Sequence, residues 1–198
     1  MHEFIRDIYT DISARYARTP QVINVNLSSA FYLAKAAAQH MLSSTPSHGK
    51  IILLGSLLTF QGGLTVPAYA AAKGGIGQLT KALSNEWSKR NINVNCICPG
   101  YIRTEMNDGL LKDENRLRQI SERIPAGRWG EGADFAGTVV WLASAASKYV
   151  CGECVVVDGV SVLLDSCSTL TTLIGLDGTV DMFVVFSCDY YTSFPCML

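Results

Sequence analysis

Two kinds of hydrophobic pattern alternate along the chain. Residues 21–42 carry apolar side chains at 22, 25, 27, 30, 33, 34 and 37 with polar residues between, the three-to-four spacing of a long amphipathic helix. Residues 50–55, Lys-Ile-Ile-Leu-Leu-Gly, form a short continuous apolar run of the length expected for a strand buried on both faces. A turn region with Gly62, Gly63 and Pro67 follows, then an alanine-rich helix from 68 to about Arg90. Residues 92–98 make a second strand, which Pro99 and Gly100 end. A charged helical stretch over 105–124, a helix from about Ala133 to Ala146 and a closing strand over 155–159 complete the series. Strands alternating with helices predict an α/β fold with a parallel sheet.

The two ends fit the series less well. Phe4, Ile5, Ile8 and Ile12 suggest a short amphipathic helix ending before Pro20. Beyond residue 160, only Thr179-Val-Asp-Met-Phe-Val-Val-Phe is β-prone, so the tail is expected to add one or two strands or to be irregular.

The chain has 198 residues, 48% of them hydrophobic, which suits one domain with a substantial core. Its formal net charge is −1, and no basic stripe points to nucleic acid or an anionic membrane surface. The most apolar region, 154–187, is interrupted by Asp158, Asp165, Asp177 and Asp181 and should not span a bilayer. The amino terminus is charged from its third residue and has no apolar signal-peptide core. Seven irregularly spaced cysteines argue for reduced thiols and a cytoplasmic location. Cys151-Gly-Glu-Cys154 could be a redox pair or half a zinc site, but no second such pair accompanies it, and coincidence is the preferred reading. Cys96 and Cys98 read as small packing residues on a strand.

Candidate chemistry gathers between residues 56 and 73. Ser56 stands at the carboxyl end of the first strand, where open α/β sheets bind ligands. Tyr69 and Lys73 are four apart and share a helix face. A free phenol has a pKa of about 10. An ammonium at ~4 Å and an effective dielectric of ~20 is worth on the order of 4 kcal/mol, or about three pKa units, which would bring the tyrosine near working pH. Ser56 could then hold a carbonyl or alcohol oxygen while Tyr69 exchanges the proton.

Ser56, Tyr69 and Lys73, followed by Cys98-Pro99-Gly100-Tyr-Ile102-Arg-Thr104, resemble the short-chain dehydrogenase/reductase family over residues 20–159. The resemblance implies a partial Rossmann-like, doubly wound parallel sheet with flanking helices, corresponding to the carboxyl-terminal half of that fold. It implies NAD or NADP as cofactor and hydride exchange with a secondary alcohol or ketone. It implies roles too: Asn26 organising a water, Ser56 holding the substrate oxygen, Tyr69 as acid/base, Lys73 lowering its pKa and touching the cofactor ribose. Pro99, Gly100, Ile102 and Thr104 would contact the cofactor. The phrases Leu57-Leu-Thr-Phe-Gln-Gly-Gly and Ile124-Pro-Ala-Gly-Arg-Trp-Gly-Glu are similar to the family branch acting on deoxy-keto-gluconates, so a small sugar acid is the expected substrate. Family members commonly assemble through the helices represented here by 21–42 and 68–90, implying a homo-oligomer.

The chain contains no G-x-x-x-G-x-G after a strand and no Asn-Asn-Ala-Gly. Residues 1–19 carry no motif of the family, and the tail from 160 to 198 is atypical of it. Three expectations follow: weak or absent dinucleotide binding by this chain, a truncated or irregular gene product, and an apolar sheet edge on the 50–55 strand that something must cover. The rival reading is a catalytically inactive fragment that acts only as an interaction or oligomerisation partner.

Overall fold

The computed structural model describes residues 16–43, 45–104, 107, 112–160 and 182–185. The helix expected before Pro20 lies largely outside the described residues, as does most of the tail. The first helical run is α1 (Thr19–Ile23), a π-helical turn (Asn24–Ser28) and α2 (Ser29–Ser43). Proline in its first turn suits the start, because proline's fixed φ is helical and its missing N–H would be unpaired there anyway. The expected single long helix is therefore interrupted at its second turn by wider i→i+5 winding, a local device that recurs at functional sites. Ala30, Ala34, Ala37, Ala38 and Met41 are buried, but Leu33, counted on the apolar face from its spacing, is 53% exposed. At 100° per residue it turns away from the Ala30–Ala34–Met41 stripe, and Phe31 and Tyr32 are exposed beside it.

Four parallel strands follow: β1 (Gly49–Leu54), β2 (Ile92–Pro99), β3 (Cys154–Val157) and β4 (Met182–Val185). Their order is β3-β2-β1-β4. The register sets Leu53 beside Cys96 and Cys96 beside Cys154. On the other side of β1, Lys50 to Leu53 pair with Met182 to Val185. The exposed β1 edge expected from the sequence is thus covered by the chain's own tail.

Helix α3 (Pro67–Trp87) opens on a proline and continues as a 3-10 turn to Arg90. Asn91 then takes the left-handed conformation, φ 57°, one that asparagine tolerates better than most residues, and the chain enters β2. Helices α2 and α3 cover one face of the sheet, where Ile51, Leu53, Ile76, Val94, Cys96 and Cys98 form the main core, and α1 packs on α3. The opposite face packs Ile52 and Ile97 against Leu142 of α5 (Ala136–Ala143). That helix is shorter than the 133–146 expected, since 3-10 turns occupy 132–135 and 145–147. Of the charged 105–124 stretch, α4 (Glu114–Ser121) is described, capped by Asp113 accepting from Arg116 N–H. No described helix is long and apolar enough to cross a membrane.

Candidate active site at the carboxyl ends of the strands

The carboxyl ends of β1 and β2 bring the candidate residues together. Ser56 lies two residues past β1 in an extended conformation and caps a 3-10 turn, Leu57–Thr59. Its Oγ accepts from Leu58 N–H at 3.2 Å, which occupies one lone pair of a hydroxyl that also carries a donor proton. Across from it, α3 presents Tyr69 and Lys73 on the face turned to β1. Lys73 is fully buried, and its Nζ donates to the Leu54 carbonyl at 3.1 Å. The same Nζ sits 5.4 Å from the centre of the Tyr69 ring. An ammonium out of water is costly unless it is partnered. The carbonyl and the aromatic face both compensate it, and both fix it beside the tyrosine.

Thr59, which carried no role in the sequence reading, joins these pieces. Its Oγ1 accepts from Ser56 N–H and donates to the Lys73 carbonyl, each at 3.1 Å. One hydroxyl therefore ties the serine turn to the helix turn that carries the lysine. The signal available in the sequence was Ser56-x-x-Thr59, the spacing of a reciprocal cap.

Asn26 lies in the π turn, 2% exposed, and its Nδ2 donates to the Val22 carbonyl at 3.2 Å. Its neighbour Leu27 packs against Gly75 of α3, where a Cβ would fall 2.8 Å from a Leu27 methyl. The glycine thus lets the π turn sit close to the helix carrying Tyr69 and Lys73. Pro99 and Gly100 end β2 next to the Ser56 turn, since Gly55 N–H donates to the Ile97 carbonyl at 2.8 Å. Ile102 forms an isolated parallel bridge with Gly130, and Thr104 is an exposed residue whose carbonyl accepts from Asn107 N–H. Arg128 makes two 2.7 Å bonds to Asp134. Those bonds, with Glu131 N–H, hold the Asp134 carboxyl down at about 2 and brace the Gly130 loop against which Ile102 rests.

At Gly100 the chain leaving β2 passes close to the chain leaving β3. A Cβ there would lie 2.6 Å from Asp158 Cα and Cβ and 3.0 Å from its carbonyl oxygen. Backbone cannot swing aside as a flexible side chain can. Gly100→Ala is expected to destabilise the fold by ~2–3 kcal/mol, read as a lower urea midpoint at unchanged slope. An unaltered midpoint would show that the β2–β3 junction is looser than this packing.

Beneath Ser56, three thiols meet. Cys96 and Cys98 are fully buried with their sulfurs 3.7 Å apart, and Cys154 Sγ completes a group within 4.8 Å. Hydrogen bonds from Cys154 and Cys96, helped by Thr59, favour the thiolate on Cys98 and lower its pKa, while the same shared protons raise that of Cys96. The Cys151/Cys154 pair of the sequence is not the unit formed: Gly152, φ 78°, turns the chain between them, and Cys151 Sγ accepts from Asn93 Nδ2.

Comparison with known proteins places this arrangement. A family model described as enoyl-(acyl carrier protein) reductase matches residues 8–159. The 2-dehydro-3-deoxy-D-gluconate 5-dehydrogenase of Escherichia coli is 49% identical over 138 residues, 70% of this chain and 54% of that protein. The Bacillus subtilis enzyme of the same name is 52% identical over the same shares of the two chains. The crystal structure, with bound NADP, of a proposed 2-deoxy-D-gluconate 3-dehydrogenase from Agrobacterium tumefaciens superposes with a TM-score of 0.67 at 48% identity, covering 69% of this chain and 55% of that one. The chain spans about half the length of the curated relatives it matches. With its Rossmann-like parallel sheet and this match across most of its residues, the chain belongs to the short-chain dehydrogenase/reductase family.

Proposed function

We propose that this chain carries the catalytic half of an NAD(P)-dependent oxidoreductase that interconverts a secondary alcohol and a ketone on a sugar acid. The observation that supports this most directly is the joining of Ser56, Thr59, Lys73 and Tyr69 through Thr59 Oγ1 and Lys73 Nζ at the end of β1. A relative named for 2-dehydro-3-deoxy-D-gluconate at 52% identity supports the substrate class.

The residues present suit the nicotinamide end of the cofactor. A buried ammonium and a hydroxyl stand at the carboxyl ends of adjacent parallel strands, beside a Pro99-Gly100 turn. Lys73 would hold the ribose, and Pro99, Gly100, Ile102 and Thr104 would flank the ring. The cofactor supplies the hydride chemistry. Ser56 donates its hydroxyl proton to the substrate oxygen and orients it. Tyr69 passes a proton to that oxygen in reduction and takes it in oxidation, its phenolate favoured by the Lys73 charge. Asn26 would order a water that relays protons to Lys73.

Because the sequence contains no glycine-rich pyrophosphate turn, the chain alone is expected to bind NADH and NADPH weakly or not at all. Fluorescence titration beside thermal melts tests this, since a ligand that binds only the folded state must raise the melting temperature. A saturable signal at micromolar cofactor would overturn it. The second reading, a non-catalytic partner, draws on the exposed Phe31, Tyr32 and Leu33 and on the groove that Phe31 and Tyr32 form with Leu27, Gly75 and Leu79. We place a homo-oligomeric contact there, between the α2 and α3 faces of two copies, and the protein in the cytoplasm.

A further inference from the structure

We propose that Cys96, Cys98 and Cys154 form a binding site for one thiophilic d10 metal ion, Zn2+ or Cd2+, buried directly below the serine turn. The site goes beyond the oxidoreductase reading and does not depend on it.

The register creates it. Cys96 and Cys154 are Cα partners across the parallel β2–β3 ladder, and Cys98 is two residues further along β2, so all three side chains leave the same face of the sheet. That face is the one covered by α3. Three sulfurs bound to one ion at about 2.3 Å lie about 3.8 Å from one another. Here Cys96 and Cys98 are 3.7 Å apart, and all three fall within 4.8 Å. A change of about one ångström in a Cys154 rotamer closes the set. Thiols that merely fill a core point to different neighbours, and these converge.

One glycine keeps the space open: a Cβ on Gly55 would lie 2.7 Å from Cys98 Sγ and 2.8 Å from Cys96 Sγ. The donor set selects the ion: three sulfurs, with no imidazole or carboxylate in the cluster among the described residues, suit a soft d10 ion and not Mg2+ or Ca2+. Each thiol gives up its proton to solvent as its sulfur binds, leaving a divalent site with one net negative charge. The exposed Lys81 ammonium on α3 acts on Cys154 and offsets that charge. Access runs through Cys154, which is half-buried on the edge strand β3, whereas Cys96 and Cys98 are sealed.

Cadmium is the optical probe, because thiolate-to-cadmium charge transfer absorbs in the ultraviolet. The reduced full chain is titrated anaerobically with Cd2+, beside a version in which Cys151, Cys167, Cys188 and Cys196 are all serine. Both should show a band that saturates at one equivalent, is displaced by Zn2+, and is accompanied by a rise in melting temperature that also saturates at one equivalent. Cys98→Ser and Cys154→Ser should each lose the saturable band. If either replacement fails to fold, the melting shift of the four-serine chain decides instead. Three results would overturn the site: no band in the full chain, a band that disappears in the four-serine version, or a band that survives loss of Cys98 or Cys154.

Discussion

Joining residues 20–160 to the amino-terminal half of the Bacillus subtilis 2-dehydro-3-deoxy-D-gluconate 5-dehydrogenase is expected to yield a chain that binds NADPH or NADH and turns over a keto sugar acid. The graft is reasonable because the two sequences are 52% identical over 138 residues. Tyr69→Phe in that chimera should lower kcat by ~10²–10⁴-fold with little change in cofactor affinity, the usual contribution of a positioned acid/base. Phenylalanine keeps the ring over Lys73 Nζ and removes only the proton-carrying oxygen. Thus a loss confined to kcat isolates the proton step from folding and binding. Turnover at the parent rate in the Tyr69→Phe chimera would remove Tyr69 from the chemistry, and with it the proposed mechanism. A folded chimera that binds cofactor but turns over nothing before mutation would favour the interaction-partner reading.

The elements that position this site were legible because their signals are local. The run at 50–55 and the observed β1, Gly49–Leu54, differ by one residue at each end, and the strand expected at 92–98 extends by one to Pro99. An uninterrupted apolar run of strand length has few other places to go in an α/β chain. The turn at Asn26 was not legible. An i→i+5 turn differs from an i→i+4 turn by one extra residue accommodated within the helix, and what rewards it is packing against α3 through Leu27 and Gly75, which no spacing rule contains.

The site shows the same division. Tyr69 and Lys73 could be paired from helix geometry alone, and Ser56 from the end of its strand. Thr59 acquires its role only when the 3-10 turn meets α3, 14 residues further on. Sequence proximity offered only Cys151 with Cys154, a spacing read as coincidence, and left Cys96 and Cys98 as packing residues. The sheet register instead unites Cys154 with Cys96, residues 58 apart in sequence. Parallel pairing places together what a crossover has separated, so a ligand set built across it leaves no short spacing to find.

Deleting residues 161–198 is expected to cost this chain a large share of its stability and to make it aggregate. The deletion removes β4, which pairs with Lys50, Ile51, Ile52 and Leu53. Those residues are 7%, 0%, 2% and 0% exposed, so their strand edge is backbone set in an apolar surround. Each ladder hydrogen bond contributes roughly 1 kcal/mol net, against a total stability of about 5–15 kcal/mol for an ordinary domain. Three or four lost together are decisive, and the bared edge is a template for a second copy. Val184→Pro is the sharper test. It deletes one donor in the middle of the strand, opposite Ile52, and leaves the chain length unchanged. A lower urea midpoint with rising light scattering is the expected result for both variants, and a truncated chain that stays monomeric with its midpoint intact would show that β4 contributes nothing. The same pairing explains why the chimera ends at residue 160. The resemblance implies that the family's amino-terminal half supplies a parallel strand on that side of β1, and one edge accepts one partner. Restoring the tail to the chimera should therefore leave its stability unchanged, the tail having lost its place in the sheet.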